Sequence, residues 1–172
     1  AAQVIVMHAM MTPGDELVAT KKLYGGSINQ MNHSYKNFGW NVVWADPDDL
    51  GSFEKAITPK TKCIFIESIA NPGGVITDIE AISKIARKAG VPLVVDNTLA
   101  TPYLCKPIDF GADIVVHSLT KFLGGHGNSI GGLIVDCGTF DWSREKKYPM
   151  LCEPRPEYQG IVLHETFGNF AF

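Results

Sequence analysis

A lysine preceded by two hydroxyl side chains is the feature of this 172-residue sequence that points most clearly to chemistry. Residues 112–116 form an apolar run that predicts a buried strand, and Ser118, Thr120 and Lys121 follow its end. A glycine-rich segment comes directly after them. Hydroxyl and backbone N–H groups bind phosphate, and an amine can bond covalently to a carbonyl carbon. The arrangement therefore suits a phosphorylated cofactor that is bound covalently through an amine.

Further polar residues lie at the ends of other predicted strands. Glu67 ends one strand and Asn71 lies in the loop that follows it, while Asp96 ends the next strand. Tyr24 lies in a Gly-Gly loop after an earlier strand. Each also has an ordinary structural explanation, such as capping for Asp96 and packing for Tyr24. Because ligands of open α/β sheets bind beyond the carboxyl ends of the strands, the shared edge favours a binding site.

The elements that must position these residues alternate along the chain between strands and helices. The strands are continuous apolar runs, which favours an α/β fold with a mostly parallel sheet and helices on both faces. The predicted strands cover residues 16–19, 40–44, 63–67, 92–95, 112–116 and 131–135. The predicted helices cover residues 1–11, 28–38, 50–57 and 79–89. Residues 21–27 and 68–74 are predicted loops, 97–110 a loop or a loop with a helical turn, and 140–158 irregular or a short helix.

Composition and charge exclude several functional classes. The chain is 45% hydrophobic with a net charge of −3, which is typical of one ordinary globular domain and gives no reason to expect nucleic acid as a partner. Its apolar runs fall far short of the ~20 residues of a membrane span, and no signal peptide is recognisable. The four cysteines and five histidines are scattered, so we expect reduced thiols, no metal site and a cytoplasmic location.

Two nucleotide-binding motifs fail on their spacing. A G-x-G-x-x-G fingerprint that begins at Gly125 and Gly127 requires glycine at the position of Ile130. A phosphate-binding P-loop requires serine or threonine directly after its lysine, whereas phenylalanine follows Lys121. A generic nucleotide-binding domain is therefore not predicted.

Several motifs together resemble the Cys/Met metabolism family of pyridoxal-phosphate (PLP) enzymes. They are LYGGS at 23–27, ESIANPGG at 67–74, DNTLATPYLCKP at 96–107 and SLTKFLGGHG at 118–127. The likeness covers nearly the whole chain and implies the large domain of a PLP-dependent transferase of fold type I, the aspartate-aminotransferase-like fold. FDW at 140–142, EPRPEYQG at 153–160 and HETFGNFAF at 164–172 are most similar to the O-acetylhomoserine sulfhydrylase branch of the family.

The resemblance implies a cofactor role for the residues near the lysine. It implies that Lys121 holds PLP as a Schiff base and that Ser118 and Thr120 hydrogen-bond the phosphate. It also implies that Asp96 pairs with the pyridinium nitrogen. A carboxylate within ~4–6 Å favours the charged form of its partner, and the protonated ring nitrogen is what makes PLP an electron sink.

Other residues are implied to contact the ring or to support those that do. Asn71 is implied to contact the phenolic oxygen, and Tyr24 to stack on the ring face, where an aromatic side chain suits a flat cation. Glu67 is implied to lie behind these contacts. Thr98 and Tyr103 are implied to lie near the cofactor.

The implied reaction is γ-replacement, in which O-acetyl-L-homoserine and sulfide or a small thiol give homocysteine or methionine plus acetate. Lys121 is implied to move the substrate protons, and Tyr24 to assist as an acid or base. The family likeness further implies methionine biosynthesis and a homo-oligomer, a dimer of dimers. Elimination or transsulfuration by an enzyme of the same family, or a non-catalytic module, remain alternatives.

Parts that the family uses to bind its substrate are not recognisable in this sequence. The family's N-terminal segment lends a tyrosine and an arginine to the partner subunit, and an arginine of its C-terminal domain holds the substrate carboxylate. Residues 1–172 are therefore expected to be the central part of a PLP-binding large domain. We expect these residues alone not to be a competent enzyme, and turnover of O-acetylhomoserine by the purified 172-residue chain would refute that expectation.

Overall fold

A six-stranded sheet forms the centre of the computed structural model, which describes residues 1–172 apart from the side chain of Glu145. The strands are β1 (Glu16–Thr20), β2 (Asn41–Ala45), β3 (Thr61–Glu67), β4 (Leu93–Asp96), β5 (Ile114–Ser118) and β6 (Gly132–Asp136). Their order in the sheet is β2-β1-β3-β4-β5-β6. Strands β1 to β5 run parallel, and β6 lies antiparallel to β5 at one edge. The prediction of a mostly parallel sheet is confirmed.

Short helices precede the first strand, connect the parallel strands and follow the last strand. They are α1 (Ala2–Met10), α2 (Gly25–Asn29), α3 (Tyr35–Asn37), α4 (Leu50–Ala56), α5 (Ile79–Ala89), α6 (Thr101–Leu104), α7 (Pro149–Cys152) and α8 (Leu163–Phe167). A π-helical stretch, Gln30–Ser34, joins α2 to α3, and 3₁₀ turns cover Pro107–Phe110, Arg144–Lys146, Pro156–Tyr158 and Gly168–Phe170. Within the described residues, no helix has both the length and the apolarity that a bilayer crossing requires.

Helix α5 shows how the sequence sets the bounds and the face of an element. Its residues Ile79 and Ile82 recur at helical spacing and are buried in a core shared with the sheet. At the first turn, the Asp78 side chain accepts a hydrogen bond from the Ala81 N–H at 2.9 Å. Gly90 ends the helix in the left-handed conformation, with φ +66°, which glycine adopts without a steric penalty.

Two apolar cores cover opposite faces of the sheet, so helices lie on both faces as predicted. One core contains Val94 and Val116 together with α1 and the aromatic side chains that follow β6. The other contains Val95 and Val115 together with α4 and α5. Neighbouring residues of one strand fall in different cores because side chains alternate between the faces of a strand.

Two stretches of the chain are more ordered than the sequence predicts. The helix predicted from residue 28 begins at Gly25, inside the loop predicted over 21–27, because the Ile28 N–H already donates to the Tyr24 carbonyl oxygen at 3.1 Å. Residues 140–158 contain α7 and also fill part of a core. Trp142 and Tyr148 are fully buried there, with ring centroids 5.2 Å apart. Tertiary packing, rather than any local period, orders this segment.

Candidate cofactor site

Strands β1, β3, β4 and β5 are neighbours in the sheet and end at the same edge. Glu67 and Asp96 are register partners at the ends of β3 and β4, and Ser118 ends β5. Tyr24 follows β1 at the point where α2 begins. The predicted site residues converge because adjacent parallel strands bring their carboxyl ends together.

A cavity of about 510 Å³ opens at this edge of the sheet. All the residues predicted to form the site line it: Tyr24, Asn71, Asp96, Ser118, Thr120 and Lys121. Glu67 and Thr98 line it as well. Tyr103, expected near the cofactor, is not part of the lining; it lies on the short helix α6, where its side chain is 93% exposed.

Asp96 is held by Thr98, whose hydroxyl and backbone N–H both donate to its Oδ1. The same hydroxyl oxygen accepts from the Ser118 N–H at 2.8 Å, so Thr98 ties the end of β4 to the end of β5. Burial raises the pKa of Asp96 above its ordinary value, and the hydrogen bonds from Thr98 oppose that rise. Among the described residues, none donates a hydrogen bond to Oδ2, which leaves this oxygen available to a donor on a ligand.

Lys121 lies in a tight turn after β5. Its N–H donates to the Ser118 carbonyl oxygen at 3.2 Å, and its carbonyl oxygen accepts from the Gly125 N–H at 2.9 Å. Position 124 requires glycine, because a Cβ on Gly124 would collide with the carbonyl oxygen of Leu119. The Lys121 side chain lines the cavity, and its amine has no hydrogen-bond or ion-pair partner within the described part of the chain. An amine placed in this way is available to a covalent partner.

The turn that carries the hydroxyls is fixed against the start of β6. The Thr120 hydroxyl oxygen accepts from the Gly131 N–H at 3.2 Å, and Ser118 pairs with Gly132 in the β5–β6 ladder. A Cβ on Gly132 would lie 3.0 Å from the Cβ of Ala2, so the first turn of α1 packs against Gly132, the register partner of Ser118. The two hydroxyls at this turn fit a phosphate dianion.

Glu67 connects two residues of the cavity through their backbones. Its Oε1 accepts from the Tyr24 N–H at 2.8 Å, and its Oε2 accepts from the Asn71 N–H at 3.1 Å. Burial raises the pKa of Glu67 to about 7, and the two backbone N–H groups oppose that rise. The Tyr24 side chain is 51% exposed at the cavity, and it rests against Gly26, where a Cβ would collide with the ring.

Three apolar side chains of the cavity wall were not predicted as site residues. Ile69, Leu99 and Phe122 line the cavity, although each is typical of an ordinary core residue in the sequence. The only signal that could have found them is their place inside the motifs, as Phe122 directly follows Lys121 and Leu99 directly follows Thr98. In the part of the chain that the structure describes, His, Cys, Asp and Glu form no group of three that could hold a metal ion.

The fold and the cavity together define an α/β domain whose parallel sheet carries, at its carboxyl edge, a cavity lined by a lysine, two carboxylates and two hydroxyl side chains near that lysine. The family model of the Cys/Met metabolism PLP-dependent enzymes matches residues 1–163, and the chain belongs to that family. The family resemblance of the motifs is thereby confirmed.

Relatives agree on the branch of the family. The chain is 45% identical over 170 residues to the O-acetyl-L-homoserine sulfhydrylase of Leptospira meyeri, an alignment that covers 99% of this chain and 38% of that protein. It is 44% identical over 174 residues to the homocysteine/cysteine synthase of Saccharomyces cerevisiae, with 100% of this chain and 39% of that protein covered.

A solved structure agrees on the fold. A crystal structure from Campylobacter jejuni, assigned as an O-acetylhomoserine (thiol)-lyase, carries an N'-pyridoxyl-lysine-5'-monophosphate group. It matches this chain with a TM-score of 0.92 at 37% identity, over 95% of this chain and 41% of that one. The prediction of a PLP-dependent transferase fold is confirmed. The chain spans about 40% of the length of these relatives.

Proposed function

We propose that the protein binds PLP through Lys121 and catalyses γ-replacement on O-acetyl-L-homoserine with sulfide or a small thiol. The observation that carries this proposal is that one cavity unites a lysine amine, the half-buried carboxylate of Asp96 and two hydroxyls. The choice of substrate is supported by the relatives, which are named as a sulfhydrylase of O-acetyl-L-homoserine and a homocysteine/cysteine synthase. The product would be homocysteine or a thioether such as methionine, which places the protein in methionine biosynthesis.

The residues around the cavity fit PLP. When bound, PLP supplies an electron sink next to the α-carbon of an amino acid. In this proposal Asp96 accepts a hydrogen bond from the protonated ring nitrogen, and Ser118 and Thr120 bind the phosphate. Asn71 contacts the phenolic oxygen, and Tyr24 covers one face of the ring. The burial of Asp96 strengthens its pairing with a ring N–H because charges interact more strongly at a low effective dielectric.

Lys121 is proposed to handle the protons of the reaction. Its amine accepts the proton from the substrate Cα and later returns it, and the Tyr24 hydroxyl assists as an acid or base. Acetate leaves from Cγ, and the sulfur of sulfide or of a thiol bonds to the same carbon. O-acetyl-L-homoserine and hydrosulfide thus give homocysteine and acetate, with atoms and charge balanced.

We further propose that these 172 residues are the central part of a PLP-binding large domain in a cytoplasmic homo-oligomer, a dimer of dimers. The proposal is supported by the coverage of about 40% of the relatives' length. It is also supported by exposed apolar side chains, since Phe122, which lines the cavity, is 67% exposed and Ile130 is 96% exposed. Large exposed apolar side chains commonly mark surfaces that other parts of a protein cover. The groups that hold the substrate carboxylate would then lie outside these residues.

A product assay separates replacement from elimination. The intact protein is incubated with O-acetyl-L-homoserine with and without sulfide, and acetate, homocysteine and ammonia are measured. Replacement predicts homocysteine and acetate in equal amounts, both dependent on sulfide. Ammonia as the main product without sulfide would overturn the proposal in favour of a lyase.

Two lysine variants test the role of the amine. Lys121→Ala is expected to abolish both homocysteine and ammonia formation. Lys84→Ala is the matched control, because the Lys84 side chain is 69% exposed and pairs only with the surface residue Glu80 at 2.7 Å. Its activity is expected to equal that of the wild type.

A further inference from the structure

The carboxylate of Glu67 joins two loops that the sheet itself does not hold together. Tyr24 lies four residues beyond the end of β1, and Asn71 lies four residues beyond the end of β3. Neither takes part in the strand ladder, so their separation is not set by the hydrogen bonds of the sheet. Glu67 reaches both, with one oxygen on each backbone N–H, at 2.8 Å and 3.1 Å.

The backbone of Glu67 is itself fixed. The Thr77 hydroxyl donates to the Glu67 carbonyl oxygen at 2.6 Å, and the Ser68 N–H donates to the Asp96 carbonyl oxygen at 3.0 Å. Glu67 is also the register partner of Asp96. The position of the Glu67 backbone is therefore fixed relative to the end of β4, which carries Asp96. Through the hydrogen bonds of its carboxylate, Glu67 also fixes Tyr24 and Asn71 relative to that strand end.

Burying a charged carboxylate at this position is energetically unfavourable, and no ion pair offsets that cost within the described residues. Glu67 is 5% exposed, and no Lys, Arg or His of the described residues lies within ion-pair distance of it. Burying a charge without a partner is unfavourable, and burial accordingly raises the pKa of Glu67 to about 7. The compensation comes from the two N–H groups, each of which donates to a different carboxylate oxygen.

We propose that Glu67 is a positioning residue, whose carboxylate sets the distance between Tyr24 and Asn71 and so shapes the cavity for a flat ring. The cofactor part of this inference rests on the proposed function, in which these two residues contact the PLP ring. Glu67 acts through these two residues, because both of its carboxylate oxygens accept hydrogen bonds from their backbone N–H groups.

Two variants of the intact protein test the pair of hydrogen bonds from the Tyr24 and Asn71 N–H groups to Glu67, which we call the clamp. Glu67→Gln keeps the size of the side chain but replaces one acceptor oxygen with a donor, which opposes one of the two N–H groups. Glu67→Asp keeps both acceptors on a side chain shorter by one methylene, which cannot reach both loops. Glu80→Gln is the matched control, because Glu80 is an exposed glutamate whose side chain contacts only Lys84 on its own helix.

The first measurement is hydrogen–deuterium exchange on the cofactor-free protein, followed by peptide mass spectrometry. In both Glu67 variants, exchange is expected to rise at least about tenfold in peptides over 21–27 or 68–74 and to stay unchanged in the peptide over 79–89. Glu80→Gln is expected to leave the first two peptides unchanged. Exchange within twofold of the wild type at both loops, or an equal rise at 79–89, would overturn the clamp and leave only a general structural role.

The second measurement is PLP affinity, together with the circular dichroism of the cofactor band. Both Glu67 variants are expected to bind PLP at least about tenfold more weakly and to give a smaller dichroic band, while borohydride still fixes the cofactor on Lys121. Unchanged affinity and dichroism in variants with faster exchange would contradict the positioning role. If the wild type itself takes up no PLP, the proposed function fails, and the exchange measurement alone decides the clamp.

Discussion

The Thr98 hydroxyl makes two hydrogen bonds that valine cannot make, so Thr98→Val is a sharp perturbation of the site. The hydroxyl donates to Asp96 Oδ1 and accepts from the Ser118 N–H at 2.8 Å. Valine has nearly the same shape, so packing is conserved while both bonds are lost. The Thr98 N–H still donates to Asp96 Oδ1 at 2.9 Å, so the carboxylate keeps one of its two donors.

The size of the effect follows from these two bonds. A hydrogen bond to a charged group contributes about 1.5–3 kcal/mol, and leaving a buried donor unpaired costs about 1–3 kcal/mol, a range whose lower part suits the partly buried Ser118 N–H. Because the two losses share one side chain and the loop can relax, we expect the unfolding free energy to fall by about 2–4 kcal/mol. The hydrogen bond also lowers the pKa of Asp96, so its loss raises that pKa further.

Two assays on the intact protein check these expectations. Urea denaturation measures the loss of stability, and titration with PLP at a series of pH values measures affinity. Because a ring N–H is bound best by ionised Asp96, the pH at which affinity is lost on acidification is expected to move upward in Thr98→Val. Thr98→Ser keeps the hydroxyl and serves as the control, with values close to the wild type. A valine variant with wild-type stability, and with no change in the pH at which PLP affinity is lost on acidification, would refute the reasoning.

Further predictions concern the fold around the site, and each is checked by urea denaturation of the intact protein. Asp78→Ala removes the cap of α5 and should cost about 1 kcal/mol; an unchanged midpoint would count against the cap. Gly90→Ala forces a side chain into a φ of +66° and should cost about 1–2 kcal/mol, whereas a stabilised variant would contradict the strain. Trp142→Ala empties a fully buried position and should cost about 3–5 kcal/mol; a loss below 1 kcal/mol would be inconsistent with that burial. Burial raises the pKa of Glu67 from 4.5 to about 7, so the folded protein keeps a proton that the unfolded chain releases. Stability should therefore fall as pH rises from about 4.5 to 7, and Glu67→Gln should remove that part of the fall; parallel curves for the two proteins would contradict this.

The sheet and the convergence of the site residues follow from local sequence patterns. Buried parallel strands are continuous apolar runs, and α5 shows a clear helical period with a cap at Asp78 and a stop at Gly90. Because such strands end at one edge, Asp96 and Ser118 could be placed together before any contact was known. The roles of the individual residues toward PLP stay predictions.

The remaining features depend on contacts between distant parts of the chain. Glu67 and Tyr24 are 43 residues apart in sequence, and no local pattern pairs a buried carboxylate with the N–H of a glycine loop. Trp142 and Tyr148 lie in a segment without periodicity and are ordered by packing in the core that contains α1. The early start of α2 at Gly25 went against the loop preference of two glycines because the Tyr24 carbonyl oxygen accepts the first helical hydrogen bonds.

Reduction of the intact protein with borohydride in the presence of PLP, followed by peptide mapping, tests the central claim most directly. The account predicts a yellow protein that is bleached by borohydride and carries one phosphopyridoxyl group per chain, on Lys121 within the peptide that contains Ser118 and Thr120. A phosphopyridoxyl group on a different lysine, or a colourless protein that takes up no PLP, would contradict it.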